Sequence, residues 1–524
     1  MKLLKLMLIM FLMIFTSHIS AKNMTILVHP FLNTGDVKFS WISAGMTSSA
    51  ISDLERIRDI VVISESDRSK VQDEIELAQT GLITVDDNSI KVGEMLGANY
   101  IFTGNYFVVG NHIRVNVSLI DVSKGKTERS IKLDGRVEEI FDLQDRIVLA
   151  LMAETEKIPI PDIMPVKISE EERKRIENKK KTSISAYELY SKAIEIWDKN
   201  PNNAMNYFRL SLEIDPDYAD ALRDAGWTAG YALDLYNEAF QYFELAEKNF
   251  LKSGEKNTTD YSSLLISMGA VYGRKGDLDK ALECLLMSKD IYDGLDLSNT
   301  EIYSNLLNHI GVICLNKGEI EKALSYYMKS KDTMDGLDLV NTVSYSNLMC
   351  NIGVVCGREG KLDKALEYYI ESKRIKDRLA LQNTIDYSVL MMNIGSIYVS
   401  KGELNEAHEY YTSSMKIKDR LCLQNTESYS SLMIGIGSIS HYKCDLDNAL
   451  EYYMKGKEIM DRLSLQNTAK YSDLMSNIGV VYVDKKELDK GLEFYLESKK
   501  VKDKLFLQKT VGYSSLMTNI GVVY

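Results

Sequence analysis

The chain has 524 residues, 45% of them hydrophobic and 26% charged, with six prolines and a formal charge of −12. That length exceeds what one core can organise, so two or more domains are expected. A chain this acidic repels a phosphate backbone, which excludes nucleic acid as the expected partner; the short basic run Lys179–Lys181 falls in an expected linker.

Lys2 and Lys5 precede ten unbroken apolar residues, Leu6–Phe15, followed by Ser17-His-Ile-Ser-Ala21. Ten residues span about 15 Å as a helix, half of a bilayer core. Residues 1–21 therefore fit a secretory signal removed after Ala21 better than a retained anchor. No other stretch approaches 18 apolar residues, so no transmembrane helix is expected, and no cysteine near the cleavage point invites lipid attachment.

Residues 22–155 alternate apolar runs with helical stretches, which predicts an α/β domain. Met24–His29 reads as a strand, Phe31–Asp36 as a loop, Trp41–Ile57 as a helix and Ile60–Ile63 as a strand. Helices are expected near Ser69–Thr80 and Asn88–Leu96, and strands at Tyr100–Val109 and Ile113–Val122 around a Gly110-Asn111 hairpin turn. A strand near Arg129–Gly135 and a helix over Phe141–Ala153 close the domain. Residues 156–183 read as a charged helical linker, with Glu170 and Glu171 facing solvent.

Beyond residue 183 the chain repeats. A Tyr-Ser pair recurs every 42 residues from Tyr261 through Tyr303, Tyr345, Tyr387, Tyr429 and Tyr471 to Tyr513. A period of this size marks a solenoid, whose units bury their apolar faces only by stacking. In the unit from Tyr387, Leu390, Met391, Ile394 and Tyr398 make a first helical stripe that Gly402 closes. A second helix turns Ala407, Tyr411 and Ile417 inward, and Asn425 and Thr426 are suited to cap the next one. Gly269, Gly311, Gly353, Gly395, Gly437, Gly479 and Gly521 keep the register, although mid-helix glycine costs about 1 kcal/mol relative to alanine. Their recurrence predicts close approach by a neighbouring helix, with Ala281, Ala323, Ala365, Ala407, Ala449 and Gly491 in the matching role. The tyrosine pairs, such as Tyr326-Tyr327, are expected to send one ring inward. All six cysteines lie in the repeats and read as small packing residues rather than disulfides. The sequence stops at Tyr524 after a first helix, as a fragment would, or else leaves an apolar stripe for a partner or a second copy to cover.

The set Leu265, Gly269, Tyr272, Ala281, Leu285, repeated as Met349, Gly353, Ala365, Tyr369, resembles the tetratricopeptide repeat. The 42-residue period is similar to that of kinesin light chains, with Ser288, Ser330, Ser372, Ser414 and Ser498 where the family usually has alanine. Residues 184–252 resemble two units of the shorter form, through Ala204, Phe208, Ser211, Pro216 and Gly226, Ala239, Phe243, Ala246; residues 253–524 carry the longer repeats, the last incomplete. In the N-terminal part, Pro30–Asp36, Ser43–Leu54, Gly97–Tyr106, Val115–Lys126 and Asp142–Val148 resemble, in order, the envelope domain shared by CsgG-like, FlgO-like and TolB amino-terminal-like proteins. That resemblance implies a small mixed sheet, a periplasmic or outer-membrane setting and a role in assembly; no long amphipathic strand pair suggests a pore. The expected fold is multidomain: an α/β N-terminal domain, then an all-α tetratricopeptide-type superhelical solenoid.

No metal-ligand spacing, phosphate loop or nucleophile elbow marks a catalytic or cofactor site. Two residues before the repeat glycine stand Asn351, Asn393, Asn477 and Asn519, with His309 in one copy. The resemblance places this side of the first helix in the concave groove, where an asparagine ladder holds an extended peptide backbone. An amide both donates and accepts, so it suits backbone groups whatever the side chain. Arg274 and Arg358, further along the same wall, are expected to meet a carboxylate. The alternative is that the amides bond one another or adjacent turns and seal the stack. The resulting expectation is an exported, non-enzymatic scaffold in the periplasm or at the outer-membrane periphery of a bacterium, binding a protein or peptide without cofactor. The alternative is an assembly or secretion accessory that self-associates through its N-terminal domain or open last repeat, or activates a partner enzyme.

Overall fold

The computed structural model describes residues 24–78, 85–157, 166–177 and 182–524, so the expected signal segment lies outside the described residues. Two compact units result, one ending at Leu348 and the other running from Met349 to Tyr524.

The first unit opens with a six-stranded mixed sheet: β1 Met24–Val28, β2 Leu32–Asn33, β3 Ile60–Val62, β4 Tyr100–Val109, β5 His112–Asp121 and β6 Lys126–Arg136. The order is β3-β1-β4-β5-β6; β1 runs parallel to both neighbours, and β4, β5 and β6 form an antiparallel meander. Every residue of β1 is buried, which is why it reads as a continuous apolar run. In β5, Ile113, Val115, Val117 and Leu119 face the core, giving the alternation of a half-covered strand.

The loop expected at Phe31–Asp36 contains β2, whose Leu32 and Asn33 pair with Asn105 and Tyr106 of β4. Gly104 makes room there: a Cβ at that position would lie 2.6 Å from the Phe31 ring. Strand β6 begins at Lys126, earlier than expected, because the β5 register carries pairing down to Asp121. The helices are α1 Trp41–Leu54, α2 Glu65–Ala78, α3 Val85–Leu96, α4 Ile140–Lys157 and α5 Glu170–Glu177. Helix α2 starts four residues ahead of the expected Ser69 because the Ser64 hydroxyl accepts the Asp67 N–H at 3.1 Å and caps it.

Helix pairs follow: α6 Ile184–Ile196 with α7 Pro201–Ile214, α8 Ala219–Trp227 with α9 Tyr236–Ser253, α10 Thr259–Lys275 with α11 Leu278–Gly294, and α12 Glu301–Asn316 with α13 Ile320–Gly336. Helix α6 packs on α1, with the Tyr187 ring 5.9 Å from Trp41 and its hydroxyl accepting from Gln144 Nε2 at 2.6 Å. One apolar core runs from the sheet through α6 to α10. Then come α14 Val343–Arg358, α15 Leu362–Arg378, α16 Ile385–Lys401, α17 Leu404–Arg420, α18 Glu427–Tyr442, α19 Leu446–Arg462, α20 Ala469–Asp484, α21 Leu488–Lys504 and α22 Val511–Val523. The fold is an α/β region followed by a tetratricopeptide-like helical solenoid.

Candidate protein-interaction surface

The Tyr-Ser signature closes each unit onto its neighbour. A threonine three residues before each tyrosine caps the first helix: Thr258, Thr300, Thr342, Thr384, Thr426, Thr468 and Thr510 all accept the tyrosine N–H at 3.2–3.3 Å. The tyrosine hydroxyl then reaches back ten residues to the end of the preceding helix, as in Tyr303 to Asp293, Tyr345 to Asp335, Tyr387 to Asp377, Tyr429 to Asp419 and Tyr513 to Asp503 at 2.6–2.8 Å. The serine beside it is buried and ties the two helices of one unit together: Ser304 and Ser330 each donate to the other's carbonyl, and Ser414 and Ser498 repeat the bond with Ser388 and Ser472. These are buried hydroxyls with partners, each contributing roughly 0.5–1.5 kcal/mol net.

The repeat glycines admit a tyrosine ring as well as a close backbone. A Cβ on Gly395 would sit 2.6 Å from the Tyr411 ring and 3.3 Å from the Ala407 carbonyl oxygen; Gly353, Gly437 and Gly479 face Tyr369, Tyr453 and Tyr495 in the same way. The second member of each tyrosine pair is thus the buried one. Not every cysteine serves packing: Cys422 and Cys444 are exposed. Both occupy left-handed turns, with φ of 55° and 58°, and Cys444 stands where the preceding units have Gly276, Gly318, Gly360 and Gly402.

The sequence-derived candidates sit on the first helices as follows. Asn351, Asn393, Asn477 and Asn519 are all half-buried. The Asn393 amide donates to Cys350 Sγ at 3.7 Å, and Asn351 is engaged with its surroundings. In the unit between Asn393 and Asn477 the register holds Gly435, where a Cβ would come 2.8 Å from the Tyr411 ring. His309 is exposed, yet desolvation by the protein around it depresses its pKa. The Arg274 Nε donates to Asp234 at 2.8 Å and its guanidinium lies 5.0 Å over the Tyr231 ring, so the carboxylate it meets belongs to this chain. Arg358 is exposed and also engaged.

Other polar features were not legible in advance. Lys418 is buried and its ammonium donates to Ser428 Oγ at 2.8 Å; burial pulls its pKa down. Lys502, two units later, meets Asp473 at 2.6 Å, and the unit between has Met460 at the same position. A second feature is a seam between the α/β domain and the first long repeats. Arg56 donates to the Arg175 carbonyl at 2.6 Å and to Asp260 at 2.8 Å, and Arg58 pairs with Asp296 at 3.4 Å. The Asp67 carboxylate accepts both the N–H and the hydroxyl of Ser344 at 3.1 Å. No sequence signal joins residues 204 or 277 positions apart.

Among the described residues, no helix is long and apolar enough to cross a membrane, and no group of three His, Cys, Asp or Glu side chains could hold a metal ion.

Residues 344–420 and 304–332 each match a family model described as tetratricopeptide repeat. The C-terminal region carries tetratricopeptide repeats. A Rhizobium meliloti (strain 1021) protein described as "Putative adenylate cyclase 3" is 28% identical over 202 residues, 38% of this chain and 31% of its own. The chain thus spans less than a third of that relative's length. Among solved structures, the apo form of RapI is similar with a TM-score of 0.44 (13% identity, 64% of this chain, 97% of that chain). Aspartyl phosphate phosphatase F from Bacillus subtilis gives 0.43 (13%, 72% and 92%). The "putative kinesin light chain nearly identical TPR-like repeats" of Podosopora anserina give 0.33 (10%, 39% and 96%).

Proposed function

We propose that the chain is a non-enzymatic protein-interaction scaffold whose tetratricopeptide repeats hold an extended segment of a protein partner along the first helices. The observation that carries this reading is the recurrence of one amide in one register, at Asn351, Asn393, Asn477 and Asn519, on repeats of a type built from stacked helix pairs. Half-buried amides on such a wall carry both donors and acceptors, which suits a peptide main chain; Asn393 would turn from Cys350 to meet it, and the step at Gly435 contributes no amide. Arg358 extends the proposed surface within the same unit; His309 and Arg274 belong to the first unit and are proposed as contacts there, where an incoming carboxylate would have to displace Asp234 from Arg274. The apolar run Leu6–Phe15 supports export, and the resemblance of residues 22–155 to the CsgG-, FlgO- and TolB-type envelope domain supports a periplasmic or outer-membrane-peripheral setting.

The test replaces Asn351, Asn393 and Asn477 together by alanine in the full chain and crosslinks it to partners in an envelope fraction. Capture is expected to fall at least tenfold, since three bonds of about 0.5–1.5 kcal/mol each are lost, with the helical circular dichroism unchanged. Undiminished capture by a folded variant would reject the amide register as the binding element. Mass measurement of the mature protein, with a new terminus at Lys22, checks export.

A further inference from the structure

Glu301 lies two residues before Tyr303, on the first turn of α12. The other long repeats have Thr259, Val343, Ile385, Glu427, Ala469 and Val511 at this position. Glu427 is exposed and pairs with Lys470 at 2.7 Å; Glu301 is only 5% exposed, and among the described residues no cation pairs with its carboxylate, whose only polar neighbours are the Ser64 backbone and the Asn305 amide, neither in good hydrogen-bond geometry. The α/β domain is what surrounds it. Asp67 and Glu55 are the charged groups facing it, and the Ser64 backbone and Asn305 are the nearest polar groups that favour its ionised form.

The cations of the seam are committed elsewhere. Arg56 is held by Asp260 and the Arg175 carbonyl, Arg58 by Asp296 and Arg68 by Glu65. Lys70 acts on Asp67, whose carboxylate is already satisfied by Ser344; Arg56 and Arg223 act on Glu55 against Glu65. A third acidic group has thus been enclosed beside two others with no cationic partner among the described residues. An isolated buried carboxylate is far less costly when it holds a proton than when it is charged.

We propose that this seam is a proton-operated latch: it is closed while the Glu301 carboxyl is protonated and loosens when Glu301 ionises beside Asp67. Opening uncovers the first turns of α10, α12 and α14, the same part of the helix that is exposed in the later repeats.

Burial, and then the neighbouring carboxylates, raise Glu301 above the ordinary carboxylate range; burial raises Asp67 as well and brings Glu55 to about 7. A group whose pKa is higher in the closed form binds more protons there. Closure is therefore fully favoured below the ordinary carboxylate range of about 4 and is lost as pH rises through the raised values, with Glu55 placing the upper part of that window near 7. The latch does not depend on the peptide reading; it governs how much of the first helices any partner can reach.

The test is amide hydrogen exchange on the full chain across mildly acidic to mildly alkaline pH. Segments around Glu301 and Ser344 are followed, with the first turn of α18 as internal reference for the intrinsic pH dependence of exchange. The wild type is expected to lose protection in the seam, relative to the reference, on the order of tenfold as pH rises, the effect of about one pKa unit of linkage. Glu301→Gln and Glu301→Val, the latter bringing in the residue of position 343, are expected to keep protection at every pH. Equal pH dependence in wild type and both variants would overturn the latch. So would protection lost at every pH in both variants, which would make the carboxylate a structural partner. Glu427→Gln, which loses only an exposed pair with Lys470, is expected to leave exchange in the seam unchanged.

Discussion

At the position two residues before the repeat tyrosine, Glu301 and Val343 are buried, whereas Ile385, Glu427, Ala469 and Val511 are exposed. The local chemistry is the same in both regions: a threonine cap, a tyrosine bonded back to an acidic residue, and a glycine facing the second helix. What differs is the surrounding surface, since Ser344 and Asp260 bond to residues of the α/β domain. The repeat motif therefore specifies how units stack, and leaves the first turns of the helices free to differ: an internal contact with the α/β domain in the early units, and an exposed surface in the later ones.

The largest expected effect breaks the shared part. Gly395→Ala puts a methyl group 2.6 Å from the Tyr411 ring and is expected to cost about 1–3 kcal/mol. At Gly336, the last residue of α13, a Cβ would meet no described atom within 4 Å, so Gly336→Ala is expected to be neutral or to gain up to about 1 kcal/mol from helix propensity. Denaturant melts of the two variants, with local hydrogen exchange to place the loss, check this; equal costs would mean that the glycines do not serve ring packing. A smaller effect sharpens the comparison. Thr384→Ala and Thr342→Ala each remove one cap and are expected to cost about 1 kcal/mol. The Thr342 variant should in addition weaken the Asp67–Ser344 contact two residues on, seen as faster exchange in α2, while the Thr384 variant leaves α2 unchanged.

The solenoid was legible because its information is local and repeated. Helical spacing, a capping threonine and a glycine at constant intervals specify a unit, and the units can only stack. The sheet was legible where strands alternate or run apolar, as in β1 and β5, and not in β2, whose two residues carry no period and pair beside a glycine, Gly104, that leaves room for Phe31. The asparagine register was visible, but not that Asn393 meets Cys350 or that Gly435 interrupts it under the Tyr411 ring. Arg274, expected to meet a carboxylate, already has Asp234, from a turn 40 residues earlier. Cys422 and Cys444, expected to pack, sit instead in left-handed turns, which composition does not reveal. The seam was invisible, since Arg56, Asp67 and Glu301 read singly as ordinary surface charges and become unusual only when distant parts of the chain meet.

The most direct test of this account is the exchange rate of the Ser344 backbone amide in the full chain. It sits in the first turn of its helix, where no intrahelical acceptor exists, and donates instead to Asp67 at 3.1 Å. It is expected to be protected relative to the Ser428 amide at the same position of a later repeat, and to lose that protection in Asp67→Ala. Exchange of Ser344 as fast as Ser428 in the wild type, at mildly acidic pH, would contradict the docking of the α/β domain on the early repeats and the latch with it.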